Sequence, residues 1–355
     1  MPFSHLYGKL TNLRNHLYDR GALRTFSLGA RTISVGNITT GGTGKTPLVA
    51  YIARNLADRG EKVCILTRGY GRRDPRKRVV VSDGTKIITD PAVAGDEPVE
   101  LAISLGDKAI IVADPDRVAA AEWARGEFGV TAFILDDGFQ HRRARRDVDI
   151  VCIDATDPWG GGKTMPGGRL REPLSGLERA SIIVITRSDL VSDIEDLRSE
   201  ISNLNPEAAV FAARNQIVRV YAVGDATEHI VHDQMTDPAS RLEIISNSTI
   251  KTDSEKIRLM AFCGIGNPEG FFRQILNACG DSFELADTQA FPDHHHYRQS
   301  DIVDIEKRAG TSNADALVTT VKDAVKLKDL QFTIPCYAVE VSLVLDKPEA
   351  FAQLI

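Results

Sequence analysis

The sequence predicts an α/β fold in which a doubly wound, mainly parallel sheet is followed by a second, smaller α/β domain. Short apolar runs rich in β-branched residues alternate with helical stretches from residue 32 onwards. A glycine-rich loop joins the first such strand to a helix, and a polar stretch precedes a second set of strands and helices. With 355 residues, 43% hydrophobic and 26% charged, the chain is long enough for two ordinary globular domains.

Residues 1–31 form a predicted N-terminal amphipathic helical segment. Apolar residues recur there every three or four positions, which is the spacing of one helical face. They are Phe3, Leu6, Tyr7, Leu10, Leu13, Leu17 and Tyr18. Two interpretations are open: a helix packed on the protein body, or an interfacial helix that binds anionic lipid with the help of Lys9, Arg14 and Arg20.

Residues 32–223 form the predicted core domain. Its strands are short and apolar without alternation, as expected of a parallel sheet covered on both faces. We predict strands at 32–35, 63–67, 109–112, 132–135, 149–153 and 181–186, and helices near 46–58, 97–104 and 117–128. Asp83-Gly84 lies between two β-prone runs and predicts a hairpin inserted after the second strand.

The strongest motif of the core is the glycine-rich loop, Ile33-Ser-Val-Gly-Asn-Ile-Thr-Thr-Gly-Gly-Thr-Gly-Lys-Thr-Pro47. Successive backbone N–H groups of such a loop form an anion cradle. The predicted nucleotide-binding residues are Thr39, Thr40, Gly41, Gly42, Thr43, Gly44, Lys45 and Thr46. Lys45 would reach the β- and γ-phosphates, and the Thr46 hydroxyl would bind Mg²⁺. Thr39 stands where the general pattern has glycine, but the strand–loop–helix context predicts a P-loop NTPase-like core.

Two acidic residues end a later apolar strand of the core. Asp136 and Asp137 follow Phe133-Ile-Leu, which places their carboxylates at the carboxyl edge of the sheet, beside the loop. One could hold Mg²⁺ directly or through water, and the other could serve substrate or structure, because adjacent side chains point in different directions. Both are therefore candidate metal ligands.

The rest of the chain forms a linker and a second domain. Residues 224–256 are polar without a sustained period and predict a surface insertion or linker. Residues 257–355 resume the strand–helix alternation, with strands predicted at 258–263, 317–320 and 336–341. They form the predicted smaller C-terminal α/β domain.

Composition excludes several functional classes. A formal net charge of -6 disfavours a nucleic-acid binder. No apolar run approaches the ~20 residues that a spanning helix needs, and the first residues lack the apolar core of a secretory signal, so we expect a cytosol-facing protein. The five cysteines are widely spaced without a CxxC pair, which predicts buried reduced thiols.

Further motifs then follow one another in a characteristic order. They are Leu66-Thr-Arg-Gly-Tyr-Gly71, Gly95-Asp-Glu-Pro98, Asp136-Asp-Gly-Phe-Gln-His-Arg142, Arg171-Glu-Pro173 and Phe291-Pro-Asp-His-His-His-Tyr297. Together with Ser34-Val-Gly-Asn37, they make the chain resemble the tetraacyldisaccharide 4′-kinase family from about Ser34 to Lys326. That family phosphorylates the lipid A precursor in Gram-negative bacteria.

This resemblance implies a kinase that depends on ATP and Mg²⁺. Its acceptor would be the 4′-hydroxyl of a tetraacylated glucosamine disaccharide 1-phosphate, the disaccharide precursor of lipid A. The family acts at the cytoplasmic face of the bacterial inner membrane, so peripheral contact with an anionic membrane is implied as well. We expect a monomer without a nucleic-acid partner.

The resemblance also implies catalytic residues. Asp96 corresponds to the base that accepts the proton of the hydroxyl, and His294 corresponds to its partner. The two are distant in sequence and are expected to meet across the cleft between the domains. Asp96 could equally cap the helix that follows it, and His295 replaces His294 if the register differs by one.

Two further residues are assigned in the same way. Arg171 corresponds to a cation on the phosphate side, and Glu172 to a carboxylate on the metal side. A structural ion-pair network is the alternative for both and for His141, which also matches a family motif. In Thr319-Thr-Val-Lys-Asp323 the chain departs from the family, because Val321 stands where the family tends to have an acid.

A regulatory switch is the alternative function. Thr186-Arg-Ser-Asp189 follows a predicted strand, as the guanine-reading Asn/Thr-Lys-x-Asp motif of a P-loop GTPase or metallochaperone-type regulatory NTPase would. Arginine in place of lysine weakens that interpretation. A preference for ATP would favour the kinase, and a preference for GTP would favour the switch.

Overall fold

The computed structural model describes residues 2–223 and 256–355. Contacts divide the chain into two compact units: unit 1, Met1–Arg214 with Leu343–Ile355, and unit 2, Asn215–Ser342. The domain boundaries at 223 and 257 remain predictions. The predicted insertion at 224–256 lies, apart from Lys256, outside the described residues.

Unit 1 is an α/β unit. Its strands are β1 (Arg31–Gly36), β2 (Val63–Thr67), β3 (Val79–Asp83), β4 (Ile110–Ala113), β5 (Ala132–Asp136), β6 (Val148–Asp154), β7 (Ile182–Thr186) and the first part of β8 (Ala209–Ala222). Its helices up to that strand are α1 (Pro2–Asp19), α2 (Lys45–Asp58), α3 (Pro91–Ala94), α4 (Asp96–Leu105), α5 (Arg117–Phe128) and α6 (Glu195–Leu204), with 3₁₀ turns at Leu174–Arg179 and Ser188–Leu190. The strand order is β8-β7-β6-β1-β5-β2-β4-β3. The pairs are parallel except for β3 with β4.

The doubly wound, mainly parallel sheet is therefore confirmed. Each strand and helix predicted for the core is present, with ends that differ by at most one residue. These strands could be predicted because β2, β5, β6 and β7 are buried along their whole length and have no polar face, which gives continuous apolar runs in the sequence. No bounds were predicted for the edge strand β3 or for β8, and both contain partly exposed residues among the buried ones.

The predicted hairpin at Asp83-Gly84 is present. The chain does reverse there, with Asp83 Oδ1 accepting hydrogen bonds from the N–H groups of Thr85 (2.8 Å) and Lys86 (2.9 Å). The returning arm pairs with β3 through a bridge between Ser82 and Ile87 and a hydrogen bond from the Ile88 N–H to Val81 O at 2.8 Å. β3 also pairs antiparallel with β4, so the insertion extends the main sheet.

Unit 2 is a second α/β unit, as the sequence predicted. It contains the rest of β8, then β9 (Ile257–Cys263), β10 (Phe283–Ala290), β11 (Ala316–Thr320) and β12 (Cys336–Leu345), with helices α7 (Pro268–Ala278), α8 (Gln299–Thr311) and α9 (Val321–Leu327). The order β10-β9-β11-β12 is parallel throughout. The five cysteines of the chain are buried free thiols, as predicted.

The C-terminal segment belongs to unit 1 by its contacts. Helix α10 (Pro348–Leu354) places the ring of Phe351 edge-on against Tyr51 and Phe211, with centroids 6.0 and 5.2 Å apart. Arg59 donates to the main-chain oxygens of Ala352 and Ile355. Residues 343–355 are therefore grouped with unit 1, whereas the sequence analysis placed them with the second domain.

Helix α1 packs with its polar side inward. Ser4 and Asn15 are buried, and Ser4 accepts hydrogen bonds from Thr164 Oγ1 (2.7 Å) and from the N–H of Gly167 (2.9 Å). The apolar stripe faces outward, with exposed fractions of 71% for Phe3, 56% for Leu6, 57% for Leu10 and 55% for Leu13. The helix ends at Asp19, so only part of the predicted helical segment 1–31 is helical. Among the described residues, no helix combines the length and the apolar composition needed to cross a bilayer.

Candidate active site

The glycine-rich loop leaves the carboxyl end of β1, which lies between β5 and β6. Helix α2 begins at Lys45, directly after Gly44. Gly44 has φ of 75°, and a Cβ there would come within 3.3 Å of Thr186, so only glycine suits this position. Because the N-cap Gly44 has no side chain that could accept hydrogen bonds, an anion such as phosphate can accept the first-turn N–H groups.

Two residues at the end of β7 hold the loop. Thr186 Oγ1 donates to the main-chain oxygen of Thr43 at 2.9 Å, and Arg187 Nη1 donates to that of Gly42 at 2.9 Å. Arg187 also pairs with Asp154 at the end of β6. These are the first two residues of the motif that supported the switch interpretation. Their contacts are with the loop main chain, which gives the motif a structural explanation.

Lys45, Asp137 and Arg171 form a charge cluster beside the loop. Lys45 Nζ lies 3.6 Å from Asp137 Oδ1, and Arg171 Nη1 donates to both oxygens of Asp137 at 2.7 Å. Burial raises the pKa of Asp137, but the charges of Lys45 and Arg171 outweigh it and leave that pKa below its ordinary value. An ionised Asp137 therefore holds two cations at the place where a triphosphate would sit.

Arg171 is brought to the loop by main-chain pairing. Its N–H donates to Ile38 O at 2.7 Å, and the N–H of Thr40 donates to Arg169 O at 2.7 Å. Thr39, which replaces the usual glycine, forms a bridge with Leu170 in the same short pairing. The strand-like pairing explains why a side chain suits position 39, because extended backbone needs no positive φ.

Asp136 lies in a different environment from its neighbour. It is buried at the end of β5 and accepts a hydrogen bond of 3.0 Å from Thr67 Oγ1 at the end of β2. Burial, together with the charges of Glu97 and Asp137, raises the pKa of Asp136 to about 6. A divalent cation would favour the ionised carboxylate, so Asp136 and the Thr46 hydroxyl are a donor set that fits Mg²⁺.

A magnesium site here would depend on few protein ligands. In the parts of the chain that the structure describes, no three or more His, Cys, Asp or Glu side chains are grouped to hold a metal ion. Mg²⁺ commonly takes one or two carboxylates and completes its shell with water and substrate phosphates. The arrangement thus suits an ion that arrives with a nucleotide.

Glu172 is engaged in a buried network. Its carboxylate is 0% exposed and accepts hydrogen bonds from Asn15 Nδ2 (2.9 Å), Gln140 Nε2 (2.9 Å) and Arg179 Nη2 (2.8 Å). These contacts are of the kind that the structural alternative predicted. The metal role of Glu172 remains a prediction, and it would require the carboxylate to exchange some of these donors for the ion.

Asp96 occupies the first turn of α4, where it is buried. The N-cap of this helix is Gly95, whose φ is 94° and whose position would bring a Cβ within 2.4 Å of Tyr70 O. Asp96 Oδ1 accepts from the N–H of Glu97 at 3.0 Å. The N-cap alternative therefore applies to Gly95 and not to Asp96, whose role as a base remains a prediction.

His141 is neutral at ordinary pH. Burial, with the charges of Arg117 and Arg146, lowers the pKa of His141 to about 4. Its main chain closes a turn with Gly138, where the His141 N–H donates at 2.8 Å. These contacts are those of a buried residue in a turn. The predicted position of His141 near the substrate remains a prediction.

The histidine loop of unit 2, residues 291–297, contains the two candidates for the partner of the base, His294 and His295. His295 stacks on Phe291 with centroids 4.6 Å apart, meets Tyr297 edge-on at 4.8 Å, and places Nε2 3.1 Å from Asp301 Oδ2. His294 has φ of 61° and places Nε2 3.9 Å from Asp293 Oδ2. The packing of His295 favours His294 for the predicted role. Since Asp96 belongs to unit 1 and His294 to unit 2, their pairing remains a prediction.

Sequence reasoning missed several residues that organise the site. Thr67 and Gln140 lie inside quoted motifs, so the motifs themselves were the available signal. Asn15 carried none, because an asparagine on the polar side of an amphipathic helix is expected to face solvent. Asp154 ends a buried strand next to the loop strand, a position that could have been recognised from topology.

Comparison with known proteins gives consistent results. The family model LpxK, tetraacyldisaccharide-1-P 4′-kinase, matches residues 1–355. A tetraacyldisaccharide 4′-kinase from Halothermothrix orenii is 37% identical over 360 residues, covering 99% of this chain and 89% of the relative. One from Syntrophus aciditrophicus is 35% identical over 363 residues, covering 99% and 90%. The crystal structure of the "apo" form of LpxK from Aquifex aeolicus in complex with ATP matches with a TM-score of 0.73 and 29% identity, over 99% of this chain and 96% of that one.

Proposed function

The chain belongs to the tetraacyldisaccharide-1-P 4′-kinase family, and on that premise we propose that it transfers the γ-phosphate of ATP to the 4′-hydroxyl of a tetraacylated glucosamine disaccharide 1-phosphate. The observation that carries the proposal is the cluster of Lys45 and Arg171 on Asp137, beside a glycine-rich loop. Family membership favours the kinase over the regulatory NTPase.

On the nucleotide side, the loop would cradle the phosphates of ATP with its main-chain N–H groups. Lys45 and Arg171 would turn from Asp137 toward the β- and γ-phosphates, exchanging one carboxylate for the larger negative charge of the nucleotide. Charge spreads over the equatorial oxygens of the phosphoryl group during transfer, and fixed cations stabilise it there. Solved with ATP, the Aquifex aeolicus relative supports the choice of nucleotide.

On the acceptor side, Asp96 would accept the proton of the 4′-hydroxyl while His294 polarises or relays for it. The 4′-oxygen forms a bond to the γ-phosphorus, the bond from that phosphorus to the β–γ bridging oxygen breaks, and ADP leaves. Mg²⁺, held by Thr46 with Asp136 or Asp137, would neutralise charge on the phosphates. Asp96 begins a helix, so its carboxylate has a fixed position from which to act.

The acceptor is a lipid, and helix α1 provides a surface for reaching it. Its apolar side chains Phe3, Leu6, Leu10 and Leu13 are exposed, while its polar side is bonded to the body of unit 1. Lys9 and Arg20 are exposed beside the stripe and suit an anionic leaflet. This inversion of the usual amphipathic arrangement supports peripheral contact with the cytoplasmic face of the bacterial inner membrane.

Transfer of label from γ-labelled ATP to a purified tetraacyl disaccharide 1-phosphate tests the proposal. We expect a doubly phosphorylated lipid with ATP and little with GTP, with turnover that depends on added Mg²⁺. Hydrolysis of nucleotide without labelled lipid, or a preference for GTP, would contradict the kinase and favour the switch.

A further inference from the structure

The segment that departs from the family pattern, Thr319–Asp323, lies at the end of β11 and the start of α9. We propose that Asp323 is a positioning residue for His294, acting through the main chain of Gly264. The inference deepens the proposed function and rests on it for the meaning of His294, but its structural part stands on contacts within unit 2.

Asp323 is a buried carboxylate with an unusual set of contacts. Its side chain is 0% exposed. Oδ2 accepts hydrogen bonds from the N–H of Gly264 (2.9 Å) and from Thr320 Oγ1 (2.8 Å), and Oδ1 lies 2.9 Å from Lys326 Nζ. A buried charge is tolerated only when it is paired and hydrogen-bonded, and these contacts meet both conditions. The carboxylate therefore has one fixed position.

The contact passes from Asp323 to His294 across a single glycine. The N–H of Gly264 donates to Asp323, while the carbonyl oxygen of Gly264 accepts from the N–H of His294 at 3.1 Å. A Cβ at Gly264 would lie 3.0 Å from His295 Cβ and 3.2 Å from Pro292 O, so the loops approach too closely for a side chain. Movement of Gly264 would thus be transmitted to the histidine loop.

His294 needs such support because its backbone conformation is uncommon. Its φ of 61° lies in the left-handed region, which residues with a Cβ occupy only when their surroundings enforce it. The hydrogen bond to Gly264 supplies part of that enforcement. A second contact comes from the same turn of α9, where Lys322 Nζ lies 3.1 Å from Asp293 Oδ1, next to His294 in sequence.

This arrangement explains why the segment tolerates an apolar residue in place of the family's acid. Val321 is buried at the start of α9, directly before Lys322, which contacts Asp293, and Asp323, which contacts Gly264. The polar functions are carried by Thr320, Lys322 and Asp323, whose contacts do not involve the side chain at 321. An acid at position 321 is therefore not needed for the contacts that support the histidine loop.

The structural part can be tested without any turnover measurement, by hydrogen exchange of the His294 amide in the full chain. In Asp323→Ala we expect exchange at His294 to accelerate on the order of tenfold or more, since the support of Gly264 is lost. Asp315→Ala is the matched control, because Asp315 Oδ2 accepts from the N–H of Arg258 at 2.7 Å elsewhere in unit 2. Unchanged exchange at His294 in the Asp323 variant would overturn the proposal.

The effect of Asp323 on catalysis is tested in parallel, by comparing kcat of single and double variants at Asp323 and His294. Asp323→Ala should lower kcat on the order of 10- to 100-fold with little change in KM for ATP, because a small displacement of a reacting group is costly. Asp323→Asn keeps an oxygen for the Gly264 N–H and should restore much of kcat, and it also serves if the alanine variant does not fold. In a His294→Ala background, Asp323→Ala should add little loss.

The outcomes separate the two proposals. If Asp323→Ala multiplies the loss of His294→Ala in full, Asp323 acts by another route and the inference is wrong. If His294→Ala alone turns over normally, the catalytic role in the proposed function fails, while the exchange experiment still decides whether Asp323 positions the loop.

Discussion

The glycine-rich loop of unit 1 and the histidine loop of unit 2 are organised in different ways. In unit 1, the predicted functional side chains contact one another directly, with Lys45 and Arg171 both on Asp137. In unit 2, His294 is held through main-chain bonds that trace back to the buried Asp323. In unit 1 the charged side chains form ion pairs with one another. In unit 2 a buried carboxylate holds the backbone of the histidine loop.

The difference predicts different responses to substitution. Where side chains pair with one another, removing a charge leaves its partners misdirected and removes a contact to the substrate. Where a carboxylate acts on a main-chain N–H, a neutral amide that keeps the oxygen can replace it. Replacing a carboxylate by its amide should therefore be severe in the first region and mild in the second.

The largest effect is expected for Lys45→Ala. The variant would lose the cation that is proposed to contact the β- and γ-phosphates during transfer, which should lower kcat on the order of 10²-fold or more, about 3 kcal/mol. Folding should survive, because the side chain is part of the ligand site. Lys108→Ala, which removes an exposed lysine paired with Asp58, is the control and should turn over normally. Near wild-type turnover of the Lys45 variant would end the P-loop interpretation.

A smaller effect is expected for Arg187→Lys, because Arg187 contacts the main chain of the glycine-rich loop. Arg187→Lys keeps the charge for Asp154 but loses the second hydrogen bond, to the oxygen of Gly42. We expect KM for ATP to rise roughly three- to tenfold with kcat nearly unchanged, because a less ordered loop weakens ground state and transition state alike. Arg198→Lys is matched to it, since Arg198 also joins an aspartate, Asp346, to a main-chain oxygen. A shift in preference from ATP to GTP would contradict the explanation.

The proposed membrane-contact surface of α1 can be disrupted by substitutions that leave both loops unchanged. Leu6→Glu with Leu10→Glu places charges on the exposed stripe and leaves the bonded side of α1 intact. We expect weaker flotation with anionic liposomes and a several-fold higher apparent KM for liposome-presented lipid, with unchanged turnover of detergent-dispersed lipid. Leu276→Glu with Val303→Glu, at exposed apolar positions of unit 2, should change neither. Equal binding by both double variants would place the membrane contact elsewhere.

The smallest expected effect on catalysis, and a clear one on stability, concerns His141. Its pKa is about 4 when folded and near 6.5 when unfolded, so the unfolded chain binds the extra proton as pH falls below about 6.5. Stability should therefore decrease from pH 6.5 toward pH 4, and His141→Gln should remove that part of the decrease. Melting temperatures at several pH values measure it, with the exposed His5→Gln as control. Parallel curves for wild type and His141→Gln would contradict the pKa.

The sequence was most informative where burial or a tight turn restricts a position to one type of residue. Strands such as β2 and β7 are buried throughout and apolar up to a final threonine, and the glycines of the loop meet a steric requirement that can be recognised from spacing. Long-range contacts carried no such signal. Nothing in the sequence joins Asn15 to Glu172 or Asp323 to Gly264, because each depends on how distant elements pack.

The sequence also did not show which face of helix α1 packs on the protein body. Its pattern left open whether the apolar stripe of α1 packs inward or faces outward, since both are periodic in the same way. The deciding residues are small or polar ones, Ser4 and Asn15, whose hydrogen bonds to the body turn the stripe outward. Deleting residues 2–20 would also remove those bonds, so point substitutions are the sharper test.

The central prediction is that Asp96 and His294 act together in removing the proton of the 4′-hydroxyl. The most direct measurement is kcat for Asp96→Ala, His294→Ala and the double variant, at saturating ATP with detergent-dispersed lipid. If the residues act together, each single variant is strongly impaired, and the double variant is within about threefold of Asp96→Ala. Losses that multiply in full would show two independent contributions and contradict the account.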